Sequence, residues 1–126
     1  MAVLAARVEL GGTATVFDFD DALIGVPVQD LAISTYYLRA YTDGVLDPLF
    51  EGYAAHRSLP SFTDDQLESL VAGRNLLLLN EVLGAVDASG RRMRDGYLAN
   101  TIVKLRAYLE TGRYRHDVDG VVKLDR

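Results

Sequence analysis

Cysteine is absent from this 126-residue chain, which removes disulfides, thiolate catalysis and thiolate-ligated zinc. Histidine is almost as scarce. His56 and His116 stand far apart without metal-ligand spacing, so each is read as an ordinary surface or helix-end residue. Basic residues are not in excess: the formal net charge is −5, opposite in sign to the clustered Lys and Arg that non-specific nucleic-acid binding needs. Long apolar runs are missing too. The leucines 76–79 fall far short of the ~20 residues of a membrane-spanning helix. The opening Met1–Arg7 has neither a basic leader nor the apolar stretch of a signal peptide. The expectation is a soluble, cytoplasmic protein. With 49% apolar and 25% charged residues, the composition is that of an ordinary globular protein. The length suits one domain or part of one.

What is present divides into a β-prone start and a helical remainder. Residues 3–10 and 13–19 read as two strands around Gly11-Gly12, and a Gly-Gly pair supplies the positive φ of a tight hairpin. Gly25 and Pro27 mark a loop. Helices are then expected over 28–41, about 47–57 with Pro48 in the first turn, about 64–87, and about 91–111. Thr63 is the expected N-cap of the third, followed by Asp64 and Asp65 where the helix dipole favours negative charge. That helix carries leucine on most of its faces, the mark of a buried helix. The fourth has Leu98, Ile102, Leu105 and Leu109 at steps of four, three and four, and Gly112 is its expected C-cap. Ser89-Gly90 is expected to separate the last two helices, and a short terminal strand is expected at 121–124. A lone two-stranded hairpin is marginal in water unless it packs on something else.

The most informative stretch is Phe17-Asp18-Phe19-Asp20-Asp21, followed by Gly25, Pro27 and Asp30-Leu31-Ala32. Residues two apart on a strand share a face. Asp18 and Asp20 can therefore converge while Phe17 and Phe19 anchor the other side. Two or three hard carboxylate oxygens at a strand end suit Mg²⁺, and a divalent cation turns their mutual repulsion into attraction. The plainer alternative is a solvated acidic turn after an edge strand.

In combination, the Phe-Asp-Phe-Asp-Asp string, Gly-x-Pro and Asp-Leu-Ala at a helix head resemble the aminoglycoside phosphotransferase/choline kinase-type family of small-molecule kinases. Phe50-Glu51-Gly52-Tyr53, Arg74 with residues 76–80, and Leu105 with Tyr108-Leu109-Glu110 and Gly112 extend the similarity, from about Val8 to Tyr114. The resemblance implies a single domain over 1–126: mainly α with an N-terminal β-hairpin (3–19) and a helical part (28–112), as the C-terminal portion of a protein kinase-like fold. It implies a transferase acting on a substrate hydroxyl with ATP and Mg²⁺. Asp18 and Asp20 would be metal ligands, Asp21 would lie at the substrate entrance, and Asp30 would hold the catalytic loop through hydrogen bonds to its backbone. For Asp30, a plain helix N-cap is an equal reading.

The sequence departs from that family in what it lacks. No H-x-D-x-x-x-x-N catalytic loop precedes the acidic segment. No Gly-rich loop is present, and the lysines, Lys104 and Lys123, both come late. Phosphoryl transfer needs gripped phosphates and a positioned nucleophile. The isolated chain is therefore expected to be inactive, with no catalytic residue of its own. The expected partners are ATP, a small hydroxyl substrate, and either a second copy or a missing N-terminal part. Two other readings compete. One is a haloacid dehalogenase-type phosphatase using Asp18 and Asp20, although Ala22 stands where that class has threonine. The other is a non-enzymatic helical interaction module, with Tyr36, Tyr37 and Tyr41 as a partner surface.

Overall fold

A computed structural model describes residues 5–8, 14–17, 24–41 and 46–124. Four helices make up the packed body: α1 (Pro27–Leu38), α2 (Leu46–His56), α3 (Asp64–Gly84) and α4 (Ala88–Thr111). Helix α3 is the central element, packed against α1 on one flank and α4 on the other, while α2 rests on α1. Strands β1 (Ala5–Val8) and β2 (Ala14–Phe17) lie antiparallel, pairing Ala5 with Phe17 and Val8 with Ala14.

The expected fold class, mainly α with an N-terminal β-hairpin as the C-terminal portion of a protein kinase-like fold, is overturned. The body is all-helical and no strand enters it. Among the described residues the β1–β2 ladder has four pairs and no third strand, and it makes no extensive contact with a helix. So short a ladder cannot organise a core by itself, and the core among the described residues is helical. Ala32 and Tyr36 of α1 meet Leu67, Val71 and Ala72 of α3, and Tyr114 enters from the segment after α4. Among the described residues no helix is long and apolar enough to cross a membrane.

The helix ends follow local chemistry. Thr63 forms a capping box: its Oγ1 accepts from Gln66 N at 3.2 Å and the Gln66 side chain accepts from Thr63 N at 2.9 Å. Gly112 closes α4 in the left-handed region at φ 72°, its N–H donating to the Tyr108 carbonyl at 2.7 Å. The α3–α4 corner comes earlier than the Ser89-Gly90 signal suggests. Asp87 is the N-cap of α4, accepting from Gly90 N at 2.7 Å, so Ser89 and Gly90 fall inside the first turn. The side-chain cap outweighs glycine's weak tendency to break a helix. No strand forms over 121–124; instead the Asn100 side chain clamps the Val122 backbone, donating at 2.7 Å and accepting at 2.9 Å.

One junction holds α1, α3 and the C-terminal segment together. Arg39 reaches Glu68 with both terminal nitrogens, at 2.5 and 2.8 Å. It also donates to the Tyr114 carbonyl at 3.0 Å, while Tyr114 N donates to Glu68 at 2.9 Å. A forked guanidinium matches a carboxylate in this way, and the Tyr114 backbone adds one acceptor and one donor to the pair, while Arg39 Nε is buried without a partner. Burial alone would raise the Glu68 carboxyl, but the Arg39 guanidinium and the Tyr114 amide outweigh it and hold it below its ordinary value.

Candidate functional site

Asp18, Asp20 and Asp21 lie outside the described residues, and so does the metal arrangement expected of them. What is described is their approach: β2 ends at Phe17, and the chain is next described from Ile24, just before α1. Among the described residues no cluster of three or more His, Asp or Glu side chains could hold a metal ion.

Asp30 is described, and its position rules out the helix N-cap reading. The N-cap of α1 is Val26, with Pro27 at the first helical position, and no side chain caps this end. Pro27 removes one orphan N–H and pre-sets the helical φ, so the helix starts ahead of Asp30. Asp30 therefore sits in the first turn, where the helix dipole favours a carboxylate, but it is not the cap. Its side chain is exposed, and among the described residues it has no hydrogen bond or ion pair.

That carboxylate lines a cavity of about 260 Å³ whose walls include Gly25, Pro27, Gln29, Tyr53 and Arg57. Tyr53 lies in the last turn of α2 and Arg57 directly after its end, one turn apart, with Arg57 N donating to the Tyr53 carbonyl at 2.9 Å. Sequence reasoning noted Tyr53 only as part of Phe50-Glu51-Gly52-Tyr53 and passed over Arg57. The i, i+4 spacing of a phenol and a guanidinium was the available signal. The site thus offers an acceptor, a cation and a hydroxyl around a partly open polar hollow. It can receive hydrogen-bond donors from a backbone or a small polar group.

A second, larger hollow of about 650 Å³ opens beside the same helix start. Val26, Pro27, Val28, Pro60 and Leu70 form most of its wall, and Asp65 and Ser69 bring polar groups to it. Its size is in the range that encloses small organic molecules.

The remaining candidates are structural. Tyr36 is buried in the core, tilted against Tyr114 at 5.5 Å between ring centres, and burial raises both phenols far above their ordinary value. Tyr37 packs under the Arg74 guanidinium and accepts a hydrogen bond from it at 2.8 Å, whereas Tyr41 is exposed. The three tyrosines therefore do not form one surface. His116 is half-buried with Nε2 2.6 Å from the Tyr36 carbonyl, in the last turn of α1, where helix carbonyls lack intrahelical partners. Burial pushes the His116 imidazole below its ordinary value, assisted by the Lys104 and Arg39 charges. His56 is exposed in the last turn of α2.

No family model matches this chain, and neither a curated protein nor a solved structure is significantly similar to it.

Proposed function

We propose that this chain is the acceptor-side part of an ATP- and Mg²⁺-dependent phosphotransferase that phosphorylates a hydroxyl of a small molecule in the cytoplasm, and that it does not turn over by itself. The observation that carries this reading is the order along the chain. Three carboxylates, Asp18, Asp20 and Asp21, leave the end of a strand. A helix follows whose first turn presents Asp30, unpaired among the described residues, to an open polar hollow.

Asp18 and Asp20 supply the hard oxygen donors that Mg²⁺ takes, with Asp21 on the substrate side. Mg²⁺, when bound with ATP, neutralises charge on the phosphates. Asp30 accepts backbone N–H groups from the loop that carries the catalytic base, a loop this sequence does not contain. Arg57 and Tyr53 border the same hollow and help seat that loop. The larger hollow beside Pro27 gives an acceptor molecule an apolar wall at the start of α1.

The test is a Mn²⁺ titration followed by NMR. Resonances of residues 17–21 should broaden first, and the Asp18→Asn, Asp20→Asn double variant should lose the effect. Uniform broadening along the chain, unchanged in that variant, would remove the metal site and the proposal with it. In a companion assay, purified chain with Mg²⁺ and ATP should transfer no phosphate. Transfer above an Asp18→Ala control would show that the catalytic machinery is complete after all.

A further inference from the structure

Helix α4 is built inside out. Its buried side chains are Asn100 and Thr101, both polar. The regular apolar row on the same helix looks outward instead: Leu98, Ile102 and Leu109 are 37%, 43% and 79% exposed, with Leu105 half-buried at the edge of the core. The row runs on towards the N-terminus through Asp95 and Arg91 at the same alternation of four and three, which is a heptad seam.

Helix α3 also leaves leucines uncovered. Ser69, Leu76 and Leu83 follow at seven-residue steps, and Ser69 borders α4 through its 3.0 Å hydrogen bond to the Tyr108 hydroxyl. Leu76 and Leu83 are 51% and 41% exposed. A helix row with uncovered leucines and isoleucines is of the kind that marks an association surface.

We infer that this face is a homodimer interface in which α4 of one copy packs antiparallel against α4 of a second copy. The positions of the row are their own reverse about Asn100: turning the helix end for end sets Leu98 opposite the partner's Ile102, so the apolar contact is central, while Leu105 and Leu109 face the partner's Asp95 and the partner's Arg91 at its ends. The charges choose the direction. Antiparallel packing brings Asp95 beside the partner's Arg106, twice by symmetry, and Arg92 beside the partner's Glu110. Parallel packing would set Asp95 against Asp95 and Arg106 against Arg106. All four of these charged residues are exposed, and among the described residues they form no ion pair. Like charges directly opposed in a seam repel, and opposite charges select orientation. This inference is independent of the phosphotransferase reading.

Sedimentation equilibrium of the full chain between about 1 μM and about 1 mM tests it, since a contact in that range is a weak-to-moderate dimer. The dimer fraction should rise with concentration, and Ile102→Glu should weaken association at least about tenfold. Arg106→Asp alone should weaken it too, and Asp95→Arg combined with Arg106→Asp should restore it. If Ile102→Glu loses helix content by circular dichroism, Leu109→Glu replaces it, because that side chain is the more exposed of the two. A monomer at every concentration, a dimer indifferent to the seam variants, or single and double charge swaps of equal effect would each overturn the proposal.

Discussion

The two faces of α4 make opposite use of side-chain chemistry. Towards α3 and the C-terminal segment the helix presents Asn100, Thr101 and, half-buried, Tyr97 and Lys104. Asn75 of α3 donates to Thr101 at 3.4 Å, and Asn100 holds the Val122 backbone. Away from the body it presents leucine and isoleucine to water. Most buried polar groups are hydrogen-bonded, and the Asn75–Thr101 and Asn100–Val122 bonds hold the inner face by specific geometry, with Asn75 Oδ1 left without a partner. The outer face keeps apolar area uncovered. Stability of the single chain and association between chains are therefore assigned to different faces of one helix, and substitutions should separate them.

The largest effect should come from the junction that joins the inner face to the rest of the body. Glu68→Ala leaves the Arg39 guanidinium and the Tyr114 amide buried without their acceptor. Breaking one partner of a buried pair typically costs about 3–5 kcal/mol. Urea unfolding should report a loss of that order. A loss below about 1 kcal/mol would place this pair with exposed surface pairs.

Acid should loosen the same region in two stages. The His116 pKa is depressed in the folded state. Its contribution is therefore fully present above the ordinary histidine value of 6.5 and is lost as pH falls below that. The Glu68 pKa is also depressed, so its contribution persists until pH falls below 4.5 and is then lost as the carboxylate protonates. Thermal melting from neutral pH downwards should show a first decline that His116→Gln abolishes and a second that it leaves in place.

Much of the helical body was legible in the sequence, because caps and periodicity are local. Thr63 with Gln66, and Gly112 after Thr111, fix two ends by hydrogen bonds within a few residues. The α3–α4 corner was misjudged because Asp87 caps at closer range than Ser89-Gly90 breaks. Facing was less legible. A row of leucines at heptad spacing says that a helix has an apolar stripe, but not whether its own chain covers it. In α3 and α4 that depended on Tyr36, Tyr114 and Glu68 meeting across the fold. The fold class went wrong for a related reason: a β-prone Gly-Gly segment gives a ladder, but only helix-to-helix contact decides what the core contains. Asp30 was found by its place at a helix head, while Arg57 emerged only once α2 had been set beside α1.

A cap stands between core and surface in its expected cost. Thr63→Ala removes the acceptor for Gln66 N while leaving the core untouched, and caps of this kind typically contribute about 1 kcal/mol. Chemical denaturation should therefore place Thr63→Ala clearly below Glu68→Ala. Equal losses would mean that α3 is held at its N-terminus rather than along its length.

The smallest effect on the single chain should come from the outer face, which makes it the sharpest test of the contrast. Leu109 is 79% exposed, so Leu109→Ser removes little buried area, and exposed substitutions usually stay within about 0.5 kcal/mol. At the lowest protein concentrations its melting temperature should match that of the unaltered chain. At high concentration the two should diverge, because a partner that binds only the folded form raises apparent stability by mass action. The unaltered chain should then melt at a temperature that climbs with concentration, and Leu109→Ser should climb less. If the variant is destabilised equally at all concentrations, the outer row is supporting its own chain, and the division of labour between the two faces of α4 fails.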